Sequence, residues 1–556
     1  MHEYSSNIEV VFDYHERTKH QLDRYARGPG YMDWSNQPHP FRYYEGAPQI
    51  ALAHGRNVEG PLYRDLFAGP LTPSRVDYQT ISQLFYYSMA LSAWKKVPGG
   101  EAWSLRVNPS SGNLHPTESY LVIGEQASPI IAEGLYHYQP YQHALEARRV
   151  QDRGLGKVIA EQLPDQAFLI GLSSIYWRES WKYGERAYRY CNHDVGHALG
   201  SFAFAAACLG WKVQVVDSLS DIEISIVLGI DKQSGIEAEH VDCLIVVYPN
   251  TQQCTAVKTP LTINPVVIQA LQECKLLGNI NRLSNNQLEW PIIEKVALST
   301  EKYSDDACNA DQSANKPIQP GHLPQCNETA FQIIHQRRSA LAMDGVTDMA
   351  RSVFYGILGR VQVEQNGMMF ECLPWAANVS LFLFVHRVRD LQPGLYVLVR
   401  DPSHESLLRR STNPDFLWER PDLEDYEYLR LYLLAPQEVK GEAKVICCHQ
   451  DIAADGVFSL GMLARFGDVI AEKGPWYYPR LYWETGLIGQ ILYLEAEAAG
   501  VSSTGIGCFF DDVMHQVLGI RNHAWQSLYH FTVGGALEDQ RLQSYPCYHH
   551  LDSSVL

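Results

Sequence analysis

The sequence predicts an α+β protein built from two similar domains in tandem. Three observations carry this. The chain has 556 residues, more than one hydrophobic core usually supports. Four features recur in the same order and spacing in its two halves. Strand-like and helix-like runs are interspersed in each half without the strict βαβ alternation of a doubly wound fold.

The recurrence can be followed along the chain. In the first half Gly134-Leu135-Tyr136-His137-Tyr138 follows the strand-like run SYLVIGE, and in the second Gly394-Leu395-Tyr396-Val397-Leu398 follows LFLFVHRV. Later, DVGHALGSFAFAAACLGW precedes a short strand and then VLGID, while TGLIGQILYLEAEAAGV precedes STGIGCFF and then VLGIR. Each half therefore reads as helices, a strand, a Gly-Leu-Tyr turn, further strands, a long apolar helix, a strand and a short helix ending in Leu-Gly-Ile. The helix HDVGHALGSFAFAAACLG is apolar or small nearly all round, as expected of a helix buried between two domains, and its counterpart is expected to pack against it.

The expected organisation is an N-terminal extension over 1–55, a first domain over 56–254, a helical segment and polar linker over 255–325, and a second domain over 326–556. Within the third of these, NPVVIQALQECKLLG reads as a helix packed on the first domain. Residues 297–325 are polar, rich in Asp, Asn and Pro, and without period, so they read as linker.

Composition narrows the function classes. Apolar residues make up 46% and aromatics 11%, with 32 Tyr, enough to bury large interiors and line pockets for a planar ligand. A formal charge of -18 without Lys/Arg runs argues against nucleic acid or an anionic membrane as partner. The N-terminal stretch lacks an apolar run after a basic one, and the longest apolar run, SFAFAAACLGW, is too short for a bilayer; a cytoplasmic location is expected. The 12 Cys are scattered without a CxxC, so they read as buried thiols rather than zinc ligands or a disulfide framework. Cys508 reads as a small packing residue, with a nucleophile as the alternative. His193 and His197 stand at i, i+4 around Asp194, but no HExxH or third ligand accompanies them, so no metal site is expected.

Against this background, RVNPSSGNLHPTESYLV resembles the flavin-contacting segment of nitroreductases, and HQRRSALAMDG resembles their phosphate-binding RRS segment. KYGERAYRYCNHDVGHALG is similar to a stretch of SagB-type azoline dehydrogenases, nitroreductase relatives that aromatise heterocycles in modified peptides. The resemblance covers roughly 60–250 and 330–548. It implies an intramolecular pseudo-dimer of two nitroreductase-like domains, FMN as cofactor, and a flavin lying between the domains.

The two halves keep complementary pieces of the motif. Arg337, Arg338 and Ser339 suit a phosphate, with planar guanidinium forks and a hydroxyl donor; counted back from Phe67, the first-half equivalents are Pro61, Leu62 and Tyr63, none of which binds a dianion. Conversely, the first half keeps Pro109, Ser110, Ser111, Gly112 and Asn113 where the second reads LPWAANVS. The resemblance thus implies one composite site, with ring contacts from Pro109, Ser110, Ser111 and Asn113 and phosphate contacts from Arg337, Arg338 and Ser339. The mirror-image site should be empty or collapsed. Gly505, Ile506 and Gly507 resemble the strand end whose amides approach the flavin, and Arg541 the basic residue that completes the phosphate site. The basic residue often found two positions after the RRS serine is Leu341 here. Read for local chemistry alone, Pro-Ser-Ser-Gly-Asn is also a good turn.

Lys182 and Tyr183 match the Lys-Tyr pair that azoline dehydrogenases use for proton removal. A buried Lys can act as a base and a Tyr can relay a proton; an exposed lysine beside a packed tyrosine is the plain alternative. The implied function is FMN-dependent dehydrogenation or oxidation of a small or peptide-derived ring, with oxygen as acceptor. A NAD(P)H-dependent nitro or quinone reductase and a flavin-free scaffold binding a biosynthetic partner are the alternatives. A tandem already supplies both halves of the usual dimer, so the chain is expected as a monomer or a homodimer.

Overall fold

In each half, six strands form the same antiparallel sheet. The computed structural model describes residues 2–55, 59–124, 130–150, 153–251, 260–304, 306, 326–363 and 367–551. The first-half sheet runs Ala144–Val150, Gly134–Gln139, Thr117–Ile123, Phe168–Ser174, His240–Pro249, Trp211–Val215, with Gln49–Ala51 added at one edge. The second runs Leu431–Ala435, Gly394–Leu398, Val379–Val385, Phe458–Arg465, Trp525–Gly534, Ser502–Ile506. Numbered along the chain within each half, both orders are 3-2-1-4-6-5, so the α+β duplication is a property of the fold.

Side-chain alternation sorts each strand between two cores. In the first half Leu121, Ile170 and Ile245 face one core, while Tyr120, Val122, Leu169 and Leu244 face a second under the helices Arg153–Gln162 and Asp221–Leu228. In the second half Leu381 and Leu383 join the first of these cores, and Phe382 and Phe384 face a third under Asp511–Leu518. The inner faces of both sheets therefore share one core. It is filled by the central helices Ala187–Cys208 and Tyr478–Ala498.

Glycine sets how closely these helices cross. A Cβ on Gly196 would lie 2.3 Å from the Trp483 carbonyl oxygen, and one on Gly486 would lie 2.2 Å from that of His193. Neither backbone can withdraw without separating the halves. Gly486→Val is expected to lower stability by about 3 kcal/mol, the upper range for overpacking. Gly441→Ala, where no heavy atom lies within 4 Å, should leave the thermal midpoint unchanged; equal midpoints for the two variants would contradict the crossing as described.

The duplication reaches beyond the expected domains. Helix His2–Arg17 precedes the first half and helix Pro291–Ser299 the second. After the first, Thr18 Oγ1 donates to the Tyr14 carbonyl (2.7 Å), and after the second Thr300 Oγ1 donates to that of Val296 (2.9 Å). His20 N then donates to the Asp511 side chain (Oδ2, 3.0 Å) while Asp511 N donates to the His20 carbonyl (3.2 Å); likewise Lys302 N donates to Asp221 Oδ2 (2.9 Å) and Asp221 N to the Lys302 carbonyl (3.0 Å). Each extension thus docks on the opposite half's Leu-Gly-Ile helix. Both of those helices end with their glycine in the left-handed region, Gly229 at φ 64° and Gly519 at φ 76°.

The apolar stretch in the intervening segment forms helix Pro265–Glu273, whose Leu271 joins the outer first-half core. The expected linker begins later than 297, because 297–299 close the helix Pro291–Ser299; residues 307–325 lie outside the described residues. The C-terminal strand Gln543–Tyr545 pairs with Leu91–Lys96 of the first half, tying the end of the chain across the junction. None of the described helices is long and apolar enough to cross a membrane.

Candidate functional site

The loop Pro109–Asn113 leads into the central strand Thr117–Ile123. Gly112 (φ 60°) and Asn113 (φ 59°) make its turn, a conformation that glycine and asparagine tolerate. Much of its polar chemistry holds its own shape. Ser110 Oγ accepts from His115 N (2.8 Å), and Asn113 Nδ2 donates to the Ser104 carbonyl (2.9 Å). Both N and Oγ of Ser111 donate to Asp194 Oδ1, at 3.0 and 3.1 Å.

Asp194 is a residue whose role sequence reasoning missed. Burial raises its carboxyl to about 7, against the opposing hydrogen bonds from Ser110 and Ser111. Its pseudo-symmetric partner is Glu484, two residues before Gly486 as Asp194 is two before Gly196, and Glu484 likewise accepts from Asn378 N at 2.9 Å. Each central helix thus carries a carboxylate that pins the loop entering its sheet.

Helix Tyr176–Tyr183 brings Lys182 and Tyr183 to the same loop. A Cβ on Gly112 would lie 2.5 Å from Tyr183 Oη and 2.9 Å from Lys182 Nζ, so the glycine leaves room for both tips. Burial holds the Tyr183 phenol well above its ordinary value, with the charge of Glu179 adding to the effect. Glu179 is fully buried, and neither carboxyl oxygen has a hydrogen-bond partner among the described residues; burial, reinforced by Asp194, pushes it well up. Lys182 and Tyr183, both partly buried, therefore lie close enough to a buried acid for its charge to act on each.

The second half reaches this region through Arg337, just after helix Ala330–Gln336. Arg337 is 4% exposed. Its Nη2 donates to the Val107 carbonyl (3.3 Å), its guanidinium lies 4.9 Å over the Tyr493 ring, and its Nε has no partner. Arg338 Nη2 donates to the Ser92 carbonyl at 3.1 Å. Among the described residues no carboxylate lies within ion-pair distance of either arginine. Burial lowers both guanidiniums, Arg338 to about 10 with the like charge of Arg337 adding to the effect. Lys95 of the first half is lowered by burial and next by Arg338, which makes it a third cation of the cluster that the sequence did not disclose.

Tyr493 links the remaining pieces. Its hydroxyl shares a hydrogen bond with Ser339 Oγ (2.9 Å) and accepts one from Gly505 N (3.0 Å). A Cβ on Gly505 would lie 1.9 Å from Tyr529 Oη, and one on Gly507 would lie 2.4 Å from Tyr190 Cε1; the close approach demanding these glycines is to tyrosines of the chain itself. The Gly507 carbonyl accepts from Arg186 Nη2 and Tyr190 Oη, both at 3.1 Å. Ile506 faces the outer core of the second half. The Arg541 guanidinium is exposed and paired with Asp539 at 2.8 Å, two residues away, just ahead of the strand that pairs with the one carrying Lys95.

Two readings of the sequence need correction. Leu62 bridges Thr329, with Ala330 N donating to the Pro61 carbonyl and Tyr63 N to that of Glu328. This reciprocal pair sets Pro61–Tyr63 opposite Glu328–Ala330, not Arg337–Ser339; the counterparts of the arginines follow Phe67, in 68–72, a stretch that also lacks a cation. The cysteines are not uniformly buried either. Cys274 is exposed, and the half-buried thiols of Cys508 and Cys448 touch at 3.0 Å. The Cys448 hydrogen bond lowers the Cys508 thiol, with His20 adding to the effect. Cys254 and Cys308 lie outside the described residues.

At the pseudo-symmetric position, Arg480 is surrounded by Trp476, Trp483 and Trp375 at 4.3, 5.0 and 5.8 Å, and pairs with Asp217 at 3.4 Å. His193 and His197 are core residues: His193 bonds Thr485 Oγ1 and the Leu528 carbonyl, each at 3.0 Å, and His197 bonds Tyr529 Oη at 3.1 Å.

An antiparallel sheet entered by a serine-glycine loop, with a buried arginine arriving from a second copy of the same fold, defines a class of protein. The nitroreductase family model matches residues 71–247 and 396–535, and the chain belongs to that family, with its domain present twice. A protein of Methanocaldococcus jannaschii named as a nitroreductase is 29% identical over 128 residues, 22% of this chain and 63% of the relative. The trifolitoxin-processing protein TfxB of Rhizobium leguminosarum bv. trifolii is 28% identical over 168 residues, 29% of this chain and 44% of the relative. The chain therefore spans less than two thirds of either curated relative. A crystal structure of an Anabaena variabilis protein, also named as a nitroreductase, superposes with a TM-score of 0.68 over 95% of this chain and 99% of its own, at 21% identity. The fold is shared across both halves.

Proposed function

We propose that the chain holds one FMN in a composite site between its halves and uses it to dehydrogenate a small or peptide-derived ring. The observation that carries this is Arg337. A guanidinium buried to 4% exposure with no carboxylate in ion-pair distance among the described residues is costly, and its reach from the second half to Val107, two residues before Pro109, supports an anion shared by both halves. In this reading Arg338, Lys95 and Ser339 add donors for a phosphate, and the 109–113 loop, shaped by its own hydrogen bonds, faces the ring. The residues fit the group.

Bound flavin would supply a two-electron acceptor. Lys182 is placed to take a proton from the ring being oxidised, while Tyr183, kept protonated by burial, donates a hydrogen bond or relays the proton. Asp194 fixes the loop through Ser111. A peptide-derived substrate is supported by the similarity to a trifolitoxin-processing protein.

The reading is tested by mixing flavin-loaded protein anaerobically with NADPH, and separately with an azoline-containing peptide. Bleaching of the visible absorption of the oxidised flavin by the peptide and not by NADPH is the expected result. Fast bleaching by NADPH alone would make the chain a nitro or quinone reductase. Protein that stays colourless after supplementation with FMN would leave a scaffold.

A further inference from the structure

Helix Tyr176–Tyr183 presents Lys182 and Tyr183 to the candidate site. Tyr176, Trp177 and Ser180, one turn apart on the same helix, line a separate cavity of about 1160 Å³. Its walls also come from the helix Pro291–Ser299 and from the first turns of both central helices. The volume suits a drug-sized ligand or a short peptide segment.

The lining is aromatic and acidic. Trp177, Trp290 and Trp483 border the cavity, and the Tyr176 ring stacks on His240 at 4.3 Å. Asp231, Asp242, Glu289 and Glu301 have no ion-pair partner among the described residues, and Glu294 has only His240, at 3.8 Å. Two cations stand against these carboxylates. Of these, Arg480 is committed to Asp217 and to its tryptophans, which leaves Lys295.

Asp242 is the informative member. It is 8% exposed, and it sits in a β-bulge where the pairing with the neighbouring strand skips from Val241 to Cys243; bulges re-aim side chains. Its Oδ2 accepts from Ser174 Oγ at 2.7 Å, whereas Oδ1 has no hydrogen bond among the described residues. Burial raises the carboxyl to about 8, with Asp221 adding to the effect, as expected of an acid without a counter-charge. Nearby, the buried Trp290 Nε1 also has no acceptor.

From the cavity, its ring walls and this half-satisfied carboxylate, we infer that the chain has a second ligand site, which binds an alkyl-guanidinium or alkyl-ammonium group. Asp242 Oδ1 receives the cationic head, Glu294 and Glu301 add long-range attraction at the mouth, and Trp177 flanks the stem and head, as cations favour ring faces, while Trp483 and Trp290 already stack on Arg480 and Arg27. The Trp290 indole is left to donate to a carbonyl of the ligand. The site uses none of the residues of the cluster around Arg337, although Arg480 and Trp483 of the pseudo-symmetric position border it.

Calorimetric titration of the full chain tests this with three probes: agmatine, acetyl-Gly-Arg-Gly-amide and the neutral acetyl-Gly-norleucine-Gly-amide. Binding of either cationic probe at least about tenfold tighter than the norleucine peptide is expected, the size of one charged hydrogen bond. Agmatine alone identifies a free amine as ligand, and a preference for the peptide identifies a basic side chain. Asp242→Asn should weaken the preferred probe by at least about tenfold. Should that variant fail to fold, Glu294→Gln with Glu301→Gln, both at the cavity mouth, should weaken it by about threefold, more at low salt. The inference is overturned if neither cation binds, if norleucine binds equally well, or if the folded variants bind as the parent does.

Discussion

Arg337→Ala protein should purify with less than about a tenth of the parent's flavin, its FMN affinity weakened by roughly 100-fold or more. Two charge-assisted hydrogen bonds to a phosphate, each worth about 1.5–3 kcal/mol, supply that loss. The expected effect on the empty fold has the opposite sign. Arg337 is 4% exposed, no carboxylate lies within ion-pair distance of it among the described residues, and burial lowers its guanidinium against the more distant charge of Glu497, the direction expected where burial disfavours a charge. Removing that charge relieves a cost, so the thermal midpoint of flavin-free Arg337→Ala protein should equal or exceed that of the flavin-free parent. Flavin loss together with a large fall in that midpoint would make Arg337 a structural residue bonded to Val107 and Tyr493, and no more.

The second large effect belongs to Lys182 and Tyr183. Both tips stand at Gly112, within 3 Å of the position a Cβ would take there, and neither contacts the arginine cluster. Lys182→Ala and Tyr183→Phe are therefore expected to keep the flavin and its spectrum while turnover of the ring substrate falls by about 100-fold or more, the usual span of a lost general base or acid. A pH profile separates this from a packing defect: an essential acid or base changes the shape of the profile, whereas loosened packing lowers it uniformly. Unaltered turnover in Lys182→Ala would return the lysine to a role at the end of its helix.

Much of the fold was legible because the duplication is written in apolar periodicity. Two long helices without a polar face, and two Gly-Leu-Tyr strand starts, sufficed to predict a pair of halves packed through those helices. The swapped extensions were not legible. The segments around Tyr14–His20 and Val296–Lys302 share little besides Thr18 and Thr300, and what makes them equivalent is a paired exchange with the amide and carboxylate of Asp511 and Asp221 that exists only once both halves are folded. The tail is similar, since Gln543–Tyr545 is exposed throughout and pairs across the junction by backbone alone.

At the site, the Pro109–Asn113 loop and Arg337–Ser339 were singled out by their resemblance to nitroreductase motifs, and the structure brings Val107, just ahead of the loop, against Arg337. Asp194 escaped because a carboxylate between two core histidines gives no local sign that it will meet Ser111 across a tertiary contact. Arg541 suggested itself by position along the chain, but Asp539 two residues earlier satisfies it at the surface. The register of Pro61–Tyr63 slipped because the first half has a five-residue 3-10 turn, Tyr63–Phe67, where the second has the helix Ala330–Gln336. Counting from the aromatic could not detect that difference.

The arrangement of one arginine cluster, one serine-glycine loop and a tryptophan-lined pseudo-symmetric position is most directly tested by flavin stoichiometry. The protein, saturated with FMN and freed of excess, would be denatured and its flavin measured against chain concentration. The composite site predicts about one FMN per chain. Two per chain would mean that the position around Arg480 also holds flavin, and none would contradict the cofactor altogether.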